Sequence, residues 1–255
     1  MWVSVSATIQ GTSHIKSQTP CQDYTAFGVS SNTAVIVLAD GAGSAKHSRV
    51  GAQIACNAIL SYFFENFDKA VKSEAKEIRT KLVHRIRTRL GMAAKKVEST
   101  KEEYASTLLF VAIKDGIFIC GHLGDGVVGY IDNKNISHVL SLPDRGEYAN
   151  FTYFTTSKNY QSHFRLYKEN LNDIKAFFLM SDGAADCLFQ KNTKQFAKAV
   201  TLFSSWVEKF DIGEVQRALE ENMKKMFPQY TTDDCSFNLL QRSTNKLLNS
   251  KTELI

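Results

Sequence analysis

No stretch of this 255-residue chain approaches the roughly 18 consecutive apolar residues that a membrane-spanning helix needs, so no membrane segment is expected. Met1 to Gln10 also lacks the basic start and apolar core of a leader peptide, and a soluble cytoplasmic protein is the expectation. Cysteine is sparse and scattered. Cys21, Cys56, Cys120, Cys187 and Cys235 form no C-x-x-C pair, and their odd number argues against a disulfide framework or a thiolate zinc site. Most of them read as small buried hydrophobes. Only three prolines occur, and neither low-complexity linkers nor internal repeats divide the chain. A hydrophobic content of 44% is enough for one large core, so a single domain over residues 1–245 with a tail at 246–255 is expected.

Charge is unevenly spread. The net +5 arises because Lys69 to Lys101 holds 11 Lys or Arg against Glu74, Glu77 and Glu98, a local +8 that leaves −3 for the remainder. Apolar residues Val71, Ala75, Ile78, Leu82, Ile86, Leu90, Ala93 and Val97 recur there every three or four positions, which predicts an amphipathic helix with a basic outer face. A solvated face is favoured over a docking surface for an acidic partner. The segment lacks the interleaved aromatics of a nucleic-acid platform, so no nucleic-acid partner is expected.

Apolar runs predict strands at 3–8, 24–29, 34–38, 107–113, 117–122, 127–131, 136–140, 177–180 and 236–240. Helices fit 48–67, the basic segment, and two stretches between Lys191 and Phe227. Strands in blocks with helices in pairs point to an α+β layered sandwich, not to a regular βαβ winding.

Aspartates recur where these strands end: "VLADGAG" at Asp40, "GHLGDGV" at Asp125, "LMSDGAAD" at Asp182 and Asp186, and "TTDDCS" at Asp233 and Asp234. One Asp-Gly after a strand is most often a turn. Four such sites suggest more, because clustered ionised carboxylates need a compensating cation, and oxygen-only ligands select Mg²⁺ or Mn²⁺ over zinc. Glycine beside the carboxylate lets a ligand approach the backbone. If a helical turn starts at Asp182, Asp186 falls on the same side and both can share one ion.

Taken in order, "GTSHIKSQTPCQD", "VLADGAGS", "ASTLLFVAIKDGIFICGHLGDGVVGYI", "LMSDGAAD" and "TDDCSFNLL" resemble the motifs of the metal-dependent protein phosphatases of the 2C type, in a form similar to a divergent bacterial branch. The resemblance spans nearly the whole chain. It implies a four-layer α-β-β-α sandwich with two central, mainly antiparallel sheets, and removal of phosphate from phosphoserine and phosphothreonine proteins that are substrates of a partner kinase. It implies Mn²⁺ or Mg²⁺ as cofactor, with two central ions and room for a third. Asp40 would bridge the central pair, the Gly41 carbonyl, Asp182 and Asp233 would complete one of them, and Asp125 and Asp186 would hold the third. Asp23 would orient metal-bound water. The closing motif puts the ligand on Asp233 and not Asp234, with Ser236 at the hydroxyl position. Metal-activated water would then attack phosphorus in line, without a phosphoenzyme.

The sequence departs from that family in ways that bear on the chemistry. The usual phosphate-gripping arginine is missing, and His14 and Lys16 are the nearest replacements. Lys16 supplies a point charge and no bidentate fork. His14 is open to three readings: phosphate ligand, proton donor to the leaving alkoxide, or structural histidine. Gln22 stands where an acid often assists the second metal, and Ala42 replaces the histidine of the animal members. His47 and Arg49 read as the surface start of a helix ahead of an entrance role. Pro143 to Thr156 sits where the family places a variable flap, whose Tyr148, Phe151, Tyr153 and Phe154 either contact substrate or fold back on the core. Two rival readings stand beside a monomeric phosphatase: a phosphatase-like binding module without turnover, and a two-metal phosphodiesterase.

Overall fold

The computed structural model describes residues 1–144 and 152–243. In chain order the first half runs β1 (Trp2–Ile9), α1 (Thr12–Ser17), β2 (Tyr24–Val29), β3 (Thr33–Ala39), α2 (Ser48–Lys72), α3 (Ala75–Lys96), β4 (Leu108–Lys114), β5 (Ile117–Leu123), β6 (Val127–Asp132) and β7 (Ser137–Ser141). After α4 (Tyr160–His163) come β8 (Arg165–Asn170), β9 (Ile174–Met180), α5 (Asp182–Leu188) and the two-residue strands β10 (Phe189–Gln190) and β11 (Gln195–Phe196). Helices α6 (Lys198–Lys209) and α7 (Ile212–Met226) precede the last described strand, β12 (Cys235–Arg242).

Two five-stranded sheets form, ordered β1-β12-β9-β6-β7 and β2-β3-β4-β5-β8, and every described pairing between their strands is antiparallel. Side chains alternate across a strand with period two, and here both faces are buried, which explains the unbroken apolar runs. In β3, Val35, Val37 and Ala39 face α2 and α3, joining Ile59, Phe63, Leu82 and Ile86. The alternate residues Ala34, Ile36 and Leu38 face the other sheet, where they meet Leu109, Val111, Phe177, Leu179 and Leu240. From β9, Phe178 and Met180 turn the opposite way and pack with Phe203, Val215 and Leu219 of α6 and α7. Three apolar layers between four layers of backbone give the expected α-β-β-α sandwich.

Departures from the sequence reading have local causes. Strand β8 was not expected; it is a polar edge strand, RLYKEN, with no fully buried residue to leave a period-two mark. Helix α1 buries none of its six residues and so has no apolar stripe. The basic segment forms α3, whose cations are less free than a solvated face implies. Arg85 pairs with Glu65 of α2 at 3.0 Å, and Arg79 donates to the Phe164 carbonyl. Arg87 donates to the carbonyls of Thr155 and Ser157 while its guanidinium lies over the Tyr160 ring. Among the described residues no helix is long and apolar enough to cross a membrane. The tail expected at 246–255, and Tyr148 and Phe151 of the flap, lie outside the described residues.

Gly51 shows how closely α2 seats against the chain that leads into β4, since a Cβ built there would lie 2.0 Å from the Tyr104 carbonyl oxygen. Gly51→Ala is expected to cost about 2 kcal/mol by overpacking and to lower the melting temperature by roughly 5 °C, read by calorimetry. An unchanged melting temperature would show that this contact relaxes freely.

Candidate metal centre

Strand ends bring the aspartates together at one edge of the sandwich. Asp40 follows β3, Asp125 sits in the β5–β6 turn, Asp182 opens α5, and Asp233 lies just before β12. Carboxylate oxygens of Asp40, Asp125 and Asp182 all fall within 4.8 Å of one another. With Gly41 and Asp233 they line a cavity of about 640 Å³, which His14, Gln22, Ala42 and Phe154 also wall.

Each carboxylate is placed by its backbone. The Asp40 amide donates to the Thr107 hydroxyl at 2.9 Å and the Thr107 amide donates to the Asp40 carbonyl at 2.8 Å, continuing the β3–β4 ladder past its regular end. Gly41 has no room for a side chain: a Cβ would lie 2.8 Å from Ser48 and 2.9 Å from the Gln22 carbonyl. Gly124 holds φ at +121°, a conformation that favours glycine, and aims the next residue, Asp125, inward. The Gly124 carbonyl accepts from the Asp144 amide at 2.9 Å and from His122 Nε2 at 3.0 Å. His122 is fully buried, and burial, then the charge of Arg165, pushes its pKa down to about 3. The ring is therefore neutral; since a carbonyl can only accept, Nε2 carries the hydrogen and Nδ1 accepts from the Ser141 hydroxyl at 2.8 Å.

Electrostatics at the cluster are unfavourable without a cation. Burial above all, then the charges of Asp23, Asp182, Asp125 and Asp233, raises the Asp40 pKa well above the carboxylate range. Asp182 is pushed up to about 6 by burial and by Asp125 and Asp233. Asp23, 4% exposed beneath the cluster, is pushed up to about 7, mainly by burial, with the charges of Asp182 and Asp234 adding to it. Among the described residues, no donor reaches either Asp23 oxygen, or Asp125 Oδ1, at hydrogen-bonding geometry. Converging carboxylate oxygens, several of them without a protein donor among the described residues, fit a hard divalent cation.

Other expected site residues stand as follows. His14 lies on the cavity wall with Nδ1 2.9 Å from Asp234 Oδ2. Asp234 is buried and also accepts from the Gly11 amide at 2.7 Å and the Gln22 amide at 2.6 Å. It thus ties the two ends of the chain together, a role with no signal in sequence because its donors lie more than 200 residues away. Lys16 is exposed and does not line the cavity. Asp186 is half-exposed, 2.5 Å from Lys191 Nζ, and is neither in the three-carboxylate cluster nor on the cavity wall. Arg49 is exposed, and His47 stacks on Tyr104 beside a separate groove. In the flap, Phe154 lines the cavity whereas Tyr153 packs into the helix-side core. Thr152 was not anticipated; its hydroxyl donates to Asp125 Oδ2.

Asp23 and Asp182 both titrate above the ordinary 3.8, so folding of the metal-free chain takes up protons between that value and about 7. Their contribution to stability is present at the acid end and lost as pH rises through 6 to 7. The metal-free protein is expected to melt several degrees higher near about pH 5 than near about pH 8, and Mn²⁺ to stabilise it more at the higher pH. Scanning fluorimetry across that range, with and without Mn²⁺, checks this; a Mn²⁺ effect independent of pH would contradict it.

Residues 10–226 match the family model described as Protein phosphatase 2C. Serine/threonine-protein phosphatase 3 of Escherichia coli (strain K12) is 32% identical over 167 residues, which cover 62% of this chain and 64% of that relative; the chain thus spans just under two thirds of its length. The fold is shared with the serine/threonine phosphatase Stp1 from Staphylococcus aureus, at TM-score 0.64 and 16% identity over 95% of both chains. It is also shared with RsbX, solved in complex with magnesium, at TM-score 0.57 and 13% identity over 94% of both chains. Three of the clustered carboxylates, at Asp40, Asp125 and Asp182, fall inside the matched residues, and the chain belongs to the protein phosphatase 2C family.

Proposed function

We propose that this protein is a Mn²⁺- or Mg²⁺-dependent serine/threonine phosphoprotein phosphatase, acting as a cytoplasmic monomer on substrates of a partner kinase. The observation that carries this reading is the convergence of Asp40, Asp125 and Asp182 within one open cavity. The name of the Escherichia coli relative and the magnesium held by RsbX support it.

Asp40, Asp182, Asp233 and the Gly41 carbonyl are the residues to hold two central ions, and Asp125 with Asp186 a third. When bound, the ions supply Lewis acidity toward the phosphoryl oxygens and the attacking water. Asp23, buried beneath the cluster with neither oxygen bonded to a protein donor among the described residues, would orient water held by the ions. The Asp234 carboxylate receives Nδ1–H of His14, which holds the ring in one tautomer and leaves Nε2 free toward an incoming phosphate or leaving oxygen. Lys16 adds a positive charge two residues on, and Phe154 gives the residue flanking the phosphate an apolar surface. Water exclusion falls to the Thr152–Ser157 wall, which Arg87 clamps from α3.

Asp40→Asn is expected to reduce Mn²⁺-dependent hydrolysis of a phosphothreonine peptide by at least the order of 10²-fold, and chelation to abolish it. Full activity in Asp40→Asn, or faster cleavage of a phosphate bis-ester than of the mono-ester, would refute the assignment. His14→Ala and Lys16→Ala each probe the phosphate grip. The expected result is a peptide kcat/KM lowered roughly tenfold or more in His14→Ala, with a smaller loss in Lys16→Ala. Unchanged kinetics in both variants would remove these residues from the mechanism.

A further inference from the structure

Between α2 and α3 a second cavity, a groove of about 500 Å³, opens on the surface. Ile54 and Ala93 form its floor against the helix-side core, and Val50, Met92 and Val97, at 43%, 63% and 56% exposed, stand around them. An exposed apolar patch bordered by polar groups marks a contact surface for another molecule. Arg89 and Lys96, seven residues apart and so on one side of α3, supply that border. The groove is also close to the metal cavity. Ala42, Gly43 and Ser44 line the cavity and His47 lines the groove, so at most about 11 Å of backbone separates Ser44 from His47.

Charge at this groove is of one sign. Between Glu77 and Glu98 the chain has seven Lys or Arg and no acid. Four of the seven are engaged: Lys81 with Glu77, Arg85 with Glu65, and Arg79 and Arg87 with backbone carbonyls. Among the described residues, Arg89, Lys95 and Lys96 have no acid within ion-pair distance, and Arg89 donates to the Ser61 hydroxyl at 3.1 Å. These three lie at the groove end of α3. None of the described residues lining the groove is acidic; Glu103 stands 3.9 Å from His47 and accepts from the Ser99 hydroxyl.

We propose that this groove docks an acidic segment with interspersed leucine or isoleucine, carried by the phosphoprotein substrate several residues from its phosphate. The substrate role rests on the phosphatase reading above; the affinity of the groove for the segment does not. Apolar side chains of the segment cover Val50, Met92 and Val97, its carboxylates meet Arg89, Lys95 and Lys96, and the phosphate reaches the cavity past residues 42–47. A nucleic acid would find the same cations but no exposed Phe, Tyr or Trp for its bases among the described lining residues, since Tyr104 is buried. A linker of about six residues spans up to about 20 Å and holds the two ends of such a substrate at an effective concentration of the order of 1 mM. A segment that binds the groove alone with a Kd of about 100 µM then lowers KM about tenfold, while kcat, set at the metal cavity, stays the same.

The test uses the full chain and two probes: a fluorescein-labelled, unphosphorylated peptide of Glu and Leu read by anisotropy, and phosphothreonine peptides with and without that segment, attached on either side and assayed with Mn²⁺. Expected are saturable binding of the labelled peptide and a KM about tenfold lower for an extended phosphopeptide than for the short one. Both effects should disappear in Met92→Asp and in Lys96→Glu, exposed positions at which the melting temperature is expected to hold. Both should also weaken as ionic strength rises from about 0.1 M to about 1 M, where screening reaches about 3 Å. Segments with Ser in place of Leu, or Lys in place of Glu, should not bind. Binding that persists in both variants, extended peptides with the KM of the short one, or tighter binding of a single-stranded oligonucleotide than of the acidic peptide would each overturn the proposal. No hydrolysis of any phosphopeptide overturns the phosphatase reading and the substrate role with it, while anisotropy still decides whether the groove takes the segment.

Discussion

Repulsion among carboxylates held out of water is the constraint around which this molecule is arranged. Asp23, Asp40 and Asp182 all sit where burial and their neighbours oppose ionisation, and the pairing of two sheets leaves them no route apart. Asp40 hangs from the extended β3–β4 ladder, Asp125 from a turn braced by the neutral His122, and Asp182 from the first turn of α5. The rigidity that makes the cluster costly without cations is the same property that suits it to bind them. A softer scaffold would relieve the charge by splaying the side chains, and the site would be lost.

Much of this was legible in the sequence because strands that are buried on both faces leave long apolar runs, and the residue where each run stops is marked. Asp40 stands out against VIVLA, and Asp182 against FFLM, so the positions at which chemistry emerges from the core can be read directly. The same logic fails where burial is partial. Strand β8 is polar at the edge of its sheet, and α1 presents no buried side at all. Its six residues nevertheless carry His14, whose placement comes from Asp234 at the far end of the chain.

Long-range pairing is the second thing a linear reading misses. Asp234 follows a cavity carboxylate and looks like a spare ligand, but its oxygens are taken by two amides and an imidazole. The basic run of α3 reads as a wetted face, and only in the fold does Arg87 reach across to the carbonyls of Thr155 and Ser157 beside the cavity. In each case the partner is fixed by packing of elements remote in the chain, and no periodicity records it.

The place of β12 has a consequence for synthesis. This strand lies inside its sheet, between β1 and β9, and carries in Asp233 and Asp234 both a cavity carboxylate and the clamp for His14. While a ribosome is still translating α7, β1 has no partner within its own sheet and the cavity lacks one wall. A chain that ends at α7 would hold Asp40, Asp125 and Asp182 but would lack Asp233 and the clamp for His14.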